Sequence, residues 1–138
     1  LNDNMNLCID GQQSADGQSD RITLQTTGEL LCRESAWYIT YSERCEDGSE
    51  EKITLKLQPD RVVMLRSGSG RMEFFPGTDT VCNYHTAAGF LPLRVRTHGI
   101  SVSISASGGS VKLTYSLLTE GGLLSRNSVR ITLTPLFE

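Results

Sequence analysis

Lysine is nearly missing from this chain. Only three of its 13 basic residues are Lys, and the nearest thing to a basic run is Arg94 and Arg96 around Val95. With a net charge of −3, the sequence lacks the electrostatic footprint of a nucleic-acid binder. It also lacks the polybasic signal of a membrane-surface protein. No stretch approaches the ~18 consecutive apolar residues of a spanning helix. No basic flank and apolar run opens the sequence, so no signal peptide is read and a cytoplasmic setting is expected.

The marks of chemistry are sparse too. Of the four cysteines (Cys8, Cys32, Cys45 and Cys82) no two form a CxxC pair, and a domain of this length needs no disulfide to hold a core. Reduced thiols are expected. Cys82 and His85 have C-x-x-H spacing, but residues three apart on a strand point to opposite faces, so no metal site is expected. There are 15 serines, yet no G-x-S-x-G elbow; Ser69, between Gly68 and Gly70, reads as a hairpin turn. Phosphate loops are absent, and there is no helix for one to open. Glu43, Glu46, Glu50 and Glu51 surround a turn and read as a solvated acidic tip. No catalytic residue is nominated, no cofactor is called for, and the chain is not read as an enzyme.

What is present is alternation. Leu91, Leu93, Val95 and Thr97 alternate with Pro92, Arg94, Arg96 and His98; Val111, Leu113, Tyr115 and Leu117 alternate with Lys112, Thr114 and Ser116. Residues i and i+2 share one face of a strand, so a period of two predicts sheets with one wet side. Turn residues separate the runs: Asp47-Gly48, Pro59-Asp60, Ser67-Gly68-Ser69-Gly70, Pro76-Gly77, Gly108-Gly109 and Gly121-Gly122. Strands are expected near 4–10, 21–33, 36–45, 51–58, 61–67, 71–76, 79–87, 90–98, 100–106, 110–119 and 122–134, some neighbouring runs being one bent strand. Gly11–Asp20 is left as the one long connection. Short turns between consecutive strands favour up-and-down order, and closure removes exposed edges. A single domain over 1–138 is expected: an antiparallel, closed β-barrel of about eight to ten strands.

Several segments then point to a family. Leu65-Arg66-Ser67-Gly68, Tyr84-His85-Thr86-Ala87-Ala88-Gly89-Phe90-Leu91, Val95-Arg96-Thr97, Gly108-Gly109 with Tyr115, and Trp37-Tyr38-Ile39-Thr40-Tyr41 resemble the YwiB-like family. These are small, uncharacterised bacterial proteins. The resemblance runs from about Ile22 to Leu133. It implies a calycin-like, lipocalin-like barrel and a cytoplasmic bacterial setting. It implies no reaction, and the kinship suggests a central cavity only by analogy of fold.

Arg66 is the residue the chemistry singles out. Val62, Met64 and Arg66 share one face of their strand, and Val63 and Leu65 the other. Both faces are apolar, so alternation does not fix which is inside. An inward guanidinium is expensive to bury alone and needs an acidic or ligand partner. Small calycins that hold fatty acids use an internal Arg with a Tyr hydroxyl. Here Tyr41, Tyr84 and Tyr115 are candidate companions, with Trp37 on the same face as Tyr41. The commoner outcome for such an Arg is a structural one, paired with Glu73 or stacked on a ring at the rim. Arg94, Arg96 and His98 form a row expected to face solvent. The expected function is binding of a small anionic or amphipathic molecule inside the barrel by Arg66, Tyr41, Tyr84, Tyr115 and Trp37. The alternative is an interaction module or homodimer with a filled core, for which an outward ring of Phe74-Phe75 is a candidate contact.

Overall fold

A strand period carried through nearly the whole chain leaves no segment free to coil. The computed structural model describes residues 3–45, 47–68, 70–86 and 89–136, the side chains of 3 and 84–86 apart. The elements are β1 (Asp3–Ala15), β2 (Gln18–Arg33), β3 (Ala36–Arg44), β4 (Glu50–Gln58), β5 (Arg61–Arg66), β6 (Gly70–Phe74), β7 (Asp79–Thr86), β8 (Gly89–Ser105), β9 (Gly108–Thr119) and β10 (Gly122–Pro135). Among the described residues no helix is long and apolar enough to cross a membrane.

The ten strands make one sheet, ordered β6-β5-β4-β3-β2-β1-β10-β9-β8-β7. Every neighbour is the next strand in sequence except one. β1 lies antiparallel to β10, from Met5 opposite Pro135 to Ser14 opposite Arg126. This is an up-and-down meander curled into a nearly closed barrel. The line of incomplete closure falls in mid-chain. No ladder joins β6 to β7 among the described residues. There the Thr80 hydroxyl donates to the Glu73 carbonyl at 2.6 Å, and the Phe75 N–H donates to Thr97 Oγ1 at 3.2 Å.

One expectation about the strands is corrected. The segment Gly11–Asp20 is not a long connection. β1 and β2 pair through it up to Ala15 opposite Gln18, around a two-residue turn with Asp16 at φ 51° and Gly17 at φ 77°. Both central residues at positive φ make the hairpin turn that matches strand twist. As expected of some neighbouring runs, 90–98 and 100–106 are one strand, β8, with a bulge between Thr97 and Gly99 where it pairs with β9. The expected antiparallel up-and-down barrel is found, nearly closed, with its seam between β6 and β7.

Inward residues follow from the register. Trp37, Leu57, Val62 and Phe74 stand in one row across β3 to β6; Ile39, Leu55, Met64 and Met72 in the next; Tyr41, Ile53, Arg66 and Gly70 in the third. Leu30, Ile39, Ile53, Leu57, Phe74 and Val95 are all buried. Each fully buried aliphatic or aromatic side chain contributes about 1.5–3 kcal/mol through apolar burial. The core therefore fills one end of the barrel and thins toward the row that carries Tyr41 and Arg66.

Candidate functional site

A cavity of about 170 Å³ opens where the core thins. Its wall is mostly aliphatic, with Leu24, Leu55, Val111, Leu113, Val129 and Ile131 among its residues. The polar wall groups are few: Tyr41, Glu43, Arg66 and Tyr115. Ile22 also belongs to the wall yet is 70% exposed, which places it at the mouth.

Register brings the polar groups together. Tyr41 is opposite Ile53, and Ile53 is opposite Arg66, so all three point inward; one step along the same face, Glu43 on β3 lies opposite Glu51 on β4. Gly28 makes room for Tyr41 across the β2–β3 ladder. A Cβ at Gly28 would stand 2.8 Å from Leu7 Cδ1 and 2.6 Å from the Thr40 carbonyl oxygen. One guanidinium nitrogen of Arg66, Nη1, donates to both carboxylates, at 3.2 Å to Glu43 and 3.0 Å to Glu51. Like charges set opposite each other on neighbouring strands repel, and Arg66 is what lets these two coexist. Burial works against the charge of Arg66, but its hydrogen bond to Glu51 and the charge of Glu43 outweigh it and hold the guanidinium above its ordinary pKa.

The tyrosines are the unspent polar capacity of the site. Tyr41 is 7% exposed, and its hydroxyl has no hydrogen bond among the described residues. Tyr115 stacks its ring at 4.7 Å from that of Phe74, tilted by 59°, and its hydroxyl is likewise without a protein partner among them. No buried side-chain nitrogen or oxygen among the described residues is sealed off without a partner, so these hydroxyls open onto the cavity. Burial first, then the charge of Glu43, pushes the Tyr41 hydroxyl up to about 12, with Arg66 pulling the other way. Burial also raises Tyr115, again opposed by Arg66.

The Tyr41 shift makes a pH prediction with a definite sign. Between its ordinary value of about 10 and about 12, the unfolded chain gives up the phenolic proton and the folded chain keeps it. The contribution is complete below pH about 10 and is lost as pH rises toward about 12, a fall of about 2–3 kcal/mol. Urea unfolding at stepped alkaline pH should show this fall in the natural protein, and Tyr41→Phe should remove its share. An unchanged slope in the variant would mean that Tyr41 ionises normally.

A family model described as a domain of unknown function, DUF1934, matches residues 8–131. The chain belongs to this family. An uncharacterized β-barrel protein, YwiB of Bacillus subtilis (strain 168), is 27% identical over 104 residues, covering 74% of this chain and 72% of YwiB. The crystal structure of the ywiB protein from Bacillus subtilis superposes with a TM-score of 0.88 at 22% identity, over 97% of this chain and 92% of that one. The resemblance read from the sequence and the barrel it implied are thus both found.

In this DUF1934 chain the nominated residues fall into three groups. Arg66, Tyr41 and Tyr115 meet at the cavity. Trp37 lies at the start of β3, packs against the core and is not part of the cavity wall. Tyr84 is in β7 opposite Leu91, and its side chain, like that of His85, lies outside the described residues. Glu73 is not the partner of Arg66, because Arg71 holds it at 2.6 and 2.9 Å. The solvated acidic tip is corrected as well: Glu43 and Glu51 face inward, Glu50 is exposed, and Glu46 lies outside the described residues. The signal for the two glutamates was available. Glu43 is two residues beyond Tyr41, and Glu51 two before Ile53, so each shares its neighbour's face.

On the outside, Arg94, Arg96 and His98 are exposed. Arg96 forms a paired contact with Asp79 at 2.9 and 3.0 Å, and His98 Nε2 shares a hydrogen bond of 2.7 Å with Ser116 Oγ. Among the described residues no group of three His, Cys, Asp or Glu side chains could hold a metal ion. The four cysteines are free; Cys82 is buried, and burial raises its thiol, which disfavours the reactive thiolate.

Proposed function

We propose that this barrel binds a small amphipathic molecule, with its apolar body in the cavity and its polar head at the end lined by Tyr41, Glu43, Arg66 and Tyr115. The observation that supports the reading is Tyr41: a side chain more than nine-tenths buried whose hydroxyl opens onto a mostly aliphatic cavity without a hydrogen bond among the described residues. A buried hydroxyl left unmatched costs about 1–3 kcal/mol, and a ligand group or a water recovers it. The volume suits a modest occupant, since an apolar cavity of about 150 Å³ takes a benzene ring. Anything longer emerges past Ile22. Among the described wall residues there is no His, Ser or Cys, and the proposal includes no covalent step.

The homodimer reading has less behind it. Val81, Phe90 and Leu123 are exposed large apolar residues. Yet the outward row that links Val81 to Leu123 across three ladders runs through Arg94 and Leu118. A charged residue in that row breaks up the patch a stable dimer would bury.

Native mass spectrometry of the protein purified from a bacterial cytosol tests the binding reading. The expected result is a mass excess that disappears on denaturation and is absent from Leu113→Trp, whose larger side chain fills the cavity. The same excess on Leu113→Trp would place the bound molecule elsewhere and overturn the assignment.

A further inference from the structure

We infer that the head group this cavity accepts is a cation: a primary ammonium on a short apolar chain or ring. The inference rests on the amphiphile reading above and specifies its chemistry. Arg66 by itself suggests an anion. Its neighbours reverse that, because Glu43 and Glu51 both accept from the same Nη1. Among the described residues, two carboxylates thus share one guanidinium at the polar end of the cavity.

An arriving carboxylate would add a third negative charge beside a guanidinium already shared by two. An arriving ammonium would instead be drawn to Glu43, the carboxylate on the cavity wall. In a partly buried site the attraction or repulsion between unit charges a few ångströms apart outweighs small differences in packing, so the sign of the head group decides. The acceptors for its N–H groups are in place. The Glu43 side chain is 40% exposed and reaches the cavity, and Tyr41 adds an unmatched hydroxyl oxygen. The rings of Tyr41 and Tyr115 offer faces that attract cations. Below the polar end the wall is aliphatic, which sets the rest of the molecule: a body of about six carbons, matching the benzene-sized volume.

Hexylamine, hexanol and hexanoate differ only in the head group, and calorimetric titration of each into the purified protein tests the inference. Hexylamine should bind at least about tenfold more tightly than hexanoate, with hexanol between them. Glu43→Gln should weaken hexylamine by about fivefold or more and leave hexanol within about twofold. Glu50→Gln, at an exposed position on β4, should change neither. Hexanoate binding most tightly, or all three binding alike, would overturn the cation assignment and leave the amphiphile reading standing. No binding by any of the three at millimolar concentration would instead remove the amphiphile reading itself. If Glu43→Gln fails to fold, the ranking on the natural protein decides alone.

Discussion

Gly109→Ala should destabilise the barrel by at least about 3 kcal/mol, enough to lower its melting temperature by about 10 °C or to prevent folding. Two independent penalties meet at this residue. Its φ is 142°, where L side chains are rarely found. Its position leaves no space either: a Cβ would run into the carbonyl oxygen of Ser103, backbone that cannot swing away. Gly109 sits between Ile104 on β8 and Leu133 on β10, so a shift that relieves the contact disturbs two ladders at once. Gly17→Ala is the comparison. Its φ of 77° is also positive, but nothing lies within 4 Å of the added carbon. That substitution should cost about 1–2 kcal/mol, the backbone penalty alone. Thermal and urea unfolding of the two variants separate the contributions. Equal losses would show that crowding at Gly109 is relieved without effect.

Arg66→Met is expected to cost about 2 kcal/mol, between the near-zero value of an exposed ion pair and the 3–5 kcal/mol of breaking a buried one. The intermediate figure follows from exposure: the Arg66 side chain is 33% exposed, Glu43 40% and Glu51 13%. The loss should come less from the missing attraction than from what is left behind, two carboxylates on facing strand positions without a counter-charge. Combining Arg66→Met with Glu43→Gln and Glu51→Gln should therefore recover at least half of the stability. Urea unfolding of the natural protein, Arg66→Met, the Glu43→Gln and Glu51→Gln pair, and the triple variant measures the coupling. A triple variant no better than Arg66→Met would mean that the arginine acts through packing of its methylene stem.

Much of this architecture was readable from side-chain alternation, and the residues that escaped show why. Leu91 to Thr97 and Val111 to Leu117 have one face in the core, so their pattern is strong. Gln12, Gln13, Ser14, Ser19 and Asp20 have no such pattern, because this stretch of the β1–β2 hairpin is exposed on both faces. Nothing there is buried to enforce alternation, and only the Asp16-Gly17 pair records the turn. The strand of Arg66 failed differently. Val62 and Val63 are both buried, so its two faces look alike in the sequence, and the inward one emerges only from pairing with Ile53 and Leu55. Glu43 and Glu51 were hidden by composition: four glutamates near a turn suggest solvent, whereas parity assigns two of them to the interior.

The seam between β6 and β7 gives the barrel the mechanics of a split ring. A whole ring resists widening at every point of its circumference, while a cut one spreads by flexing at the cut. Around the rest of this barrel, spreading the staves would tear a ladder. Along this line it releases the Thr80 to Glu73 bond and the Phe75 to Thr97 bond, each worth about 1 kcal/mol net. The bore of the barrel is therefore least firmly set along this line, where among the described residues two latches stand in place of a ladder.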